Sequence, residues 1–276
     1  MKTKQALLAT THIDLQLDKL TLQALEGMAR QVSQQYLPLT VEHDIRWPPI
    51  GRIVSAEVVE LDDGEYGLLA TLEEFEDTDS LDALAGDGRR IPLREQEVQT
   101  IAVEYDRSFR DPDGSVLLNE LSQISGEGEQ PTEALKKSLE PVATLVIGVG
   151  VLAVGSIATG FLSKLGADLY ERLRDALIRY YRKKRSAEQV LNFRFTVRDS
   201  DRALEVHVLI INPSEQELGQ LFASKYEGVD ALLLSLPVAK SDIAKLVLEW
   251  KDGRVLLRYA VRGDGVPLVP PQVGEA

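Results

Sequence analysis

PVATLVIGVGVLAVGSIATGFLS, residues 141–163, decides how this chain is read, because it runs for 23 residues without one charged side chain. As a helix rising ~1.5 Å per residue it would reach ~35 Å, enough to cross a bilayer core of ~30 Å. The expectation is therefore a long apolar helix. Gly148, Gly150, Gly155 and Gly160 lie within it, with Ala153, Ser156 and Ala158. Such small residues let membrane helices approach closely, which makes residues 141–163 a place for homo-oligomer formation. In water each glycine weakens a helix by up to ~1 kcal/mol, so the helix calls for lipid, a partner, or burial between domains. Gly148-Val149-Gly150 lacks both the Walker lysine and the GxGxxG spacing of a phosphate loop.

The flanks extend this reading. From Phe161 to Arg185 there are eight basic and three acidic residues, with Leu162, Leu165, Leu169, Leu173, Ala176, Leu177 and Tyr180 at helical spacing. This predicts a basic amphipathic helix, suited to an anionic membrane surface or to packing its leucines on a neighbouring domain. The positive-inside rule puts its side in the cytoplasm. The N-terminus has no signal-peptide pattern, so the expected location is cytoplasmic and membrane-associated, with a plain cytoplasmic protein as the alternative. Upstream, residues 126–140 read as an acidic Gly/Pro linker. Downstream, residues 186–263 read as a small α+β domain, with strands 190–197 and 204–211, a helix from Ser214 and a hairpin on Asp252-Gly253. A Pro-rich tail, 264–276, closes the chain.

The first 125 residues carry the candidate chemistry. In LPLTVEHDIRWPPIGRIVSAEVVELDDGEYGLLA, residues 37–70, His43 follows an extended segment, and Trp47-Pro48-Pro49 forces a rigid corner. A hairpin follows, with strands 53–61 and 66–72 about Asp62-Asp63-Gly64. A helix is expected near 18–35, with Leu22, Leu25, Met28 and Val32 on one face. The pieces His43-Asp44, Pro49-Ile50-Gly51-Arg52, Gly67-Leu68 and Leu118-Asn119-Glu120-Leu121-Ser122 together resemble the prohead proteases of tailed phages, serine peptidases with an assemblin-like fold, over residues 5–130. The resemblance implies a β-rich barrel with helices, His43 as general base and Glu120 as its orienter. It places the nucleophile in the strand Thr100–Asp106, where the matching position is Ala102, and a methyl group cannot attack a carbonyl. Thr100 and Ser108, spaced for the same strand face, are the alternatives. The fold class expected is thus α+β: that barrel, the apolar helix running into the basic one, and the small C-terminal domain.

Charge divides the chain. Residues 1–140 hold 13 basic and 28 acidic side chains, the remainder 18 and 16. The acidic half would repel a phosphate backbone, so no nucleic-acid partner is expected there. The chain has no cysteine, and its three histidines have no HxH or HxxxH spacing, so neither a metal nor another cofactor is expected. Three functions follow. The first is a disarmed peptidase-like module that binds a protein partner and is coupled to a membrane helix. The second is an active serine or threonine peptidase acting on a peptide substrate. The third is an oligomeric phage- or defence-associated assembly built through the glycine-rich helix.

Overall fold

A computed structural model describes residues 2–13, 19–75, 87–93, 101–125, 130–134, 142–153, 166–183, 188–199, 202–224, 228–229, 231–232 and 242–270. The chain divides into two compact units, residues 1–92 with 259–276, and residues 93–258.

Unit 1 is built on an antiparallel sheet of four strands in the order β1-β4-β3-β2: β1 (Lys2–Thr10), β2 (Leu37–Leu39), β3 (Gly51–Glu60) and β4 (Tyr66–Glu74). The sheet is open, with β1 and β2 at its edges, so the expected barrel is corrected. Helix α1 (Leu22–Gln34) starts where the Thr21 hydroxyl accepts the Ala24 N–H at 3.1 Å. It buries Leu25 and Val32 and leaves Leu22 and Met28 exposed.

The Gly51-Arg52 step is dictated by this scaffold. A Cβ on Gly51 would stand 2.4 Å from the Glu73 carbonyl oxygen. Arg52 is 3% exposed, donating from Nε to Glu73 at 2.7 Å and from Nη1 to the Asp264 carbonyl at 2.7 Å. Its guanidinium lies 4.1 Å from the centre of the Tyr36 ring, and that of Arg89 lies 4.5 Å from it. Arg89 also bonds the carbonyls of Val32 and Val54, tying residues 87–92 to α1 and β3.

Unit 2 overturns the reading of the apolar run. Residues Ala143–Ala153 form strand β7, and residues 154–163 lie outside the described residues. β7 pairs antiparallel with β5 (Ala102–Tyr105) and parallel with β8 (Gln189–Asp199). Beyond β8 come β9 (Arg202–Ile211), antiparallel, and β10 (Ile243–Lys251), parallel to β9; β6 (Thr132–Glu133) flanks β5. A strand paired on both sides and covered on both faces needs no polar residue, which accounts for the absence of charge over Ala143–Ala153. Gly150 serves the strand, taking φ 81° where the β7–β8 register shifts between Gly148 and Val151. Among the described residues no helix is long and apolar enough to cross a membrane, so the transmembrane helix is withdrawn. The strands expected in a separate C-terminal domain belong to the sheet that holds β7.

The helices of unit 2 include α2 (Pro112–Ser125), α3 (Ala167–Tyr181) and α4 (Glu215–Ser224). The basic segment is helical over α3, but Leu173, Leu177, Tyr180 and Tyr181 are buried in the unit rather than placed at a membrane interface. Phe222 of α4 meets Phe193 of β8, and Tyr180 stacks on Phe109. The segment Leu118–Ser122, which resembles a strand of the prohead proteases, lies instead within α2, which follows the helix-start pattern of Asp111 accepting the Gly114 N–H with Pro112 at the first helical position. The strand β11 (Arg254–Arg262) leaves β10 through Asp252 and Gly253, both at positive φ, the geometry of a two-residue hairpin. Its residues 254–258 count with unit 2, and 259–262, with β12 (Pro267–Leu268), with unit 1.

Candidate functional site

The residues singled out for peptidase chemistry are not gathered into one unit. His43 belongs to unit 1, in an exposed turn where Glu42 and His43 both take left-handed φ, 50° and 57°. For residues with a Cβ this conformation is strained. Its imidazole makes no hydrogen bond with a described residue. The neighbouring Asp44 does not orient it, because that carboxylate grips Arg46 through a fork at 2.6 to 3.0 Å. Glu120 belongs to unit 2, on α2, and accepts from Arg179 of α3 at 2.7 Å. Ser108 sits in a 3₁₀ turn, Arg107–Arg110, rather than on a strand, with its N–H held by the Asp106 carboxylate at 3.0 Å. Ala102 is a β5 residue opposite Gly148. Thr100 lies outside the described residues.

A hydroxyl–imidazole–carboxylate line does exist elsewhere in unit 1. His12 has Nδ1 3.1 Å from the Thr10 hydroxyl and Nε2 2.6 Å from Asp63. The hydrogen bond from His12 holds the Asp63 carboxyl below its usual pKa. Thr11 bonds Glu65 beside it, and Lys19 reaches Glu65 at 3.1 Å. Together these contacts fasten the end of β1 to the β3–β4 turn, and both His12 and Asp63 remain exposed to solvent.

The densest buried polar cluster is one that sequence reasoning missed. The register of β5, β7, β8, β9 and β10 puts Glu104, Asn192, Arg194, Thr196, Glu205, His207 and Lys245 on one face of the unit 2 sheet. Phe193, Phe195, Val206 and Val208 alternate onto the other face. Lys245 and His207 both donate to Glu205 Oε1, at 2.8 and 2.7 Å, and Asn192 Nδ2 stands 3.0 Å from His207 Nδ1. Arg194 bonds Glu104 at 2.8 Å.

Burial pushes the His207 pKa down to about 4, assisted by the charges of Lys245 and Arg194 and opposed by Glu205. Burial alone would raise Glu205, but the hydrogen bond from His207 and the Lys245 charge hold it well below the usual carboxylate range. At neutral pH the assignment is a neutral imidazole donating from Nε2 to an ionised Glu205 and accepting at Nδ1 from Asn192. Both ring nitrogens are thus occupied, and the imidazole offers no free lone pair to a substrate. The signal lay in Asn192-x-Arg194-x-Thr196 and Glu205-x-His207. Two adjacent strands about a short turn fix Arg194 opposite His207, but such alternation ordinarily marks a face in water.

Unit 2 also carries a groove of about 360 Å³ between α2 and α3, floored by Val116, Leu117, Ala176 and Tyr180. The Glu120–Arg179 and Asp113–Lys183 pairs border it. Among the described residues no three acidic or histidine side chains converge on a common metal position.

No family model matches the chain, and neither the curated proteins nor the solved structures contain a significant match to it.

Proposed function

We propose that this chain is a non-catalytic protein-binding protein, in which unit 1, which holds the His43 portion of the stretch that resembles a prohead protease, acts as a scaffold for a polypeptide partner. What carries the reading is where the apolar surface lies. Among the described residues eleven large hydrophobic side chains are exposed, and nine of them belong to unit 1: Leu7, Leu8, Ile13, Leu22, Met28, Val41, Trp47, Ile50 and Val269. That concentration on the smaller unit supports reading it as the side that takes a partner. Val41, Trp47 and Ile50 fall in the same turn segment as His43, so the part of the chain that resembles an active site presents apolar contact surface. Glu120, for its part, accepts from Arg179 of the neighbouring helix in unit 2.

The test places a photo-cross-linking residue at Trp47, and separately at the equally exposed Leu256 of unit 2, in the cells that produce the protein. An adduct with a second polypeptide is expected from position 47 and not from position 256. A serine-reactive fluorophosphonate is expected to leave the chain unlabelled. Labelling that disappears in His43→Ala would overturn the proposal in favour of an active peptidase.

A further inference from the structure

The two edges of the unit 1 sheet are built differently. β2 is three residues long, and its central residue is Pro38, which has no N–H to offer a neighbour. β1 is nine residues long and free of proline, and no described strand pairs with its outer side. Residues 2–5 of β1 are exposed, as are Leu7 and Leu8, at 49% and 39%. Leu8 is the extra residue where the register shifts, since Leu7 pairs with Leu69 and Ala9 with Leu68, so an added strand would cover exposed apolar surface at this end of the ladder.

The asymmetry determines the occupant. A sheet with two open edges adds copies without limit, whereas one with a single open edge is satisfied by one equivalent edge about a two-fold axis. Charge determines the direction. Parallel pairing would set Lys2 and Lys4 against the same lysines of the other copy. Antiparallel pairing lays each cationic end along the other's Ala6–Leu8, where the lysine stems cover the leucines while the Lys4 ammonium keeps its pair with Glu74 and that of Lys2 stays in water. A register shift between Leu7 and Ala9 ends the regular ladder. The two-fold therefore falls near Gln5, and Leu8 of one copy comes beside Lys2 of the other.

We propose that the chain forms a homodimer by antiparallel pairing of β1 with β1 of a second copy, joining two four-stranded sheets into one of eight. Partner binding through the Trp47 turn is not required for this, so either proposal stands if the other fails.

Sedimentation equilibrium of the full chain tests it, with Leu8→Lys and Leu8→Glu as paired variants at an exposed position and circular dichroism to verify folding. The wild type is expected to be dimeric. Leu8→Lys, which sets like charges together twice per dimer, should weaken association about tenfold. Leu8→Glu should associate at least as tightly as wild type, and Leu8→Lys combined with Lys2→Glu should recover the loss. A monomer at every concentration overturns the proposal. So does a dimer that ignores both charges, or one weakened equally by both, which would indicate general apolar contact rather than a strand ladder.

Discussion

Between pH 7 and pH 5, His207 alone should cost unit 2 about 2 kcal/mol of stability. The unfolded side chain titrates near 6.5, and in the folded protein burial, with Lys245 and Arg194 nearby, pushes it down to about 4. Over that window the unfolded chain takes up a proton that the folded chain refuses, so acid favours unfolding. The contribution is fully present above the unfolded pKa and is lost progressively as pH falls from there through the folded value of about 4. At pH 5 the unfolded imidazole is nearly all protonated and the folded one about one-tenth so, which gives RT ln(~30), or about 2 kcal/mol. Glu205, depressed relative to 4.5, acts in the same direction but at lower pH, so the two contributions separate along the pH axis. Urea unfolding at pH 7, 6 and 5 measures the effect in a Trp47→Phe background, leaving Trp250, buried on β10, as the sole indole reporter. His207→Gln keeps an amide at the position without a titrating group, and its stability should fall less across the same range by that amount. Parallel curves for the two proteins would refute the argument, since the folded imidazole would then be taking up protons as readily as the unfolded one.

Removing one partner of the Arg194–Glu104 pair should be far costlier than removing both. Arg194→Met takes the guanidinium away from the partly buried Glu104 carboxylate and should cost about 3 kcal/mol in urea unfolding, and adding Glu104→Leu should restore much of it. Gly51→Ala forces a Cβ against the Glu73 carbonyl and should destabilise unit 1 by about 3 kcal/mol. Gly64→Ala, in open space at φ 80°, should cost only about 1 kcal/mol, with Trp47 fluorescence as the readout for both.

Much of the local structure was legible. Asp62-Asp63-Gly64 and Asp252-Gly253 announce tight turns, and Gly64, Asp252 and Gly253 take the positive φ such turns require. The β8–β9 hairpin follows from alternation about a short polar connection, and the helix beginning near Ser214 is present as α4. The apolar run was not legible, because a charge-free stretch has no period by which to distinguish a helix in lipid from a strand buried on both faces. The deciding information lies some forty residues away on either side, in β5 and β8, whose pairing satisfies the β7 backbone. The glycines were the available hint: helix interiors tolerate them poorly, while Gly150 is suited to a bulge. At α2 the signal was present but overruled by the resemblance. Asp111-Pro112 is a helix start, and Leu117, Leu121 and Ile124 keep helical spacing on its buried side.

The same lesson applies to the candidate site, where a short motif has two sufficient causes. Pro49-Ile50-Gly51-Arg52 contributed to the peptidase resemblance, yet each of its last two residues has a local reason to be there. Gly51 is required by the approach of β4, and Arg52 satisfies a carboxylate and a carbonyl while stacking on Tyr36. A scaffold needs those residues whether or not any bond is cut beside it, so their presence cannot count as evidence for chemistry. Evidence for chemistry has to come from groups that the scaffold does not already employ. Of the four proposed catalytic residues, Thr100 lies outside the described residues, Glu120 pairs with Arg179, and Ser108 sits in a helical turn rather than on a strand. His43 has its ring free of any described partner, on a strained turn among exposed apolar residues. A strained, solvent-facing segment carrying Val41, Trp47 and Ile50 gains most from being covered, and that is the physical reason for reading the His43 neighbourhood as a place of contact.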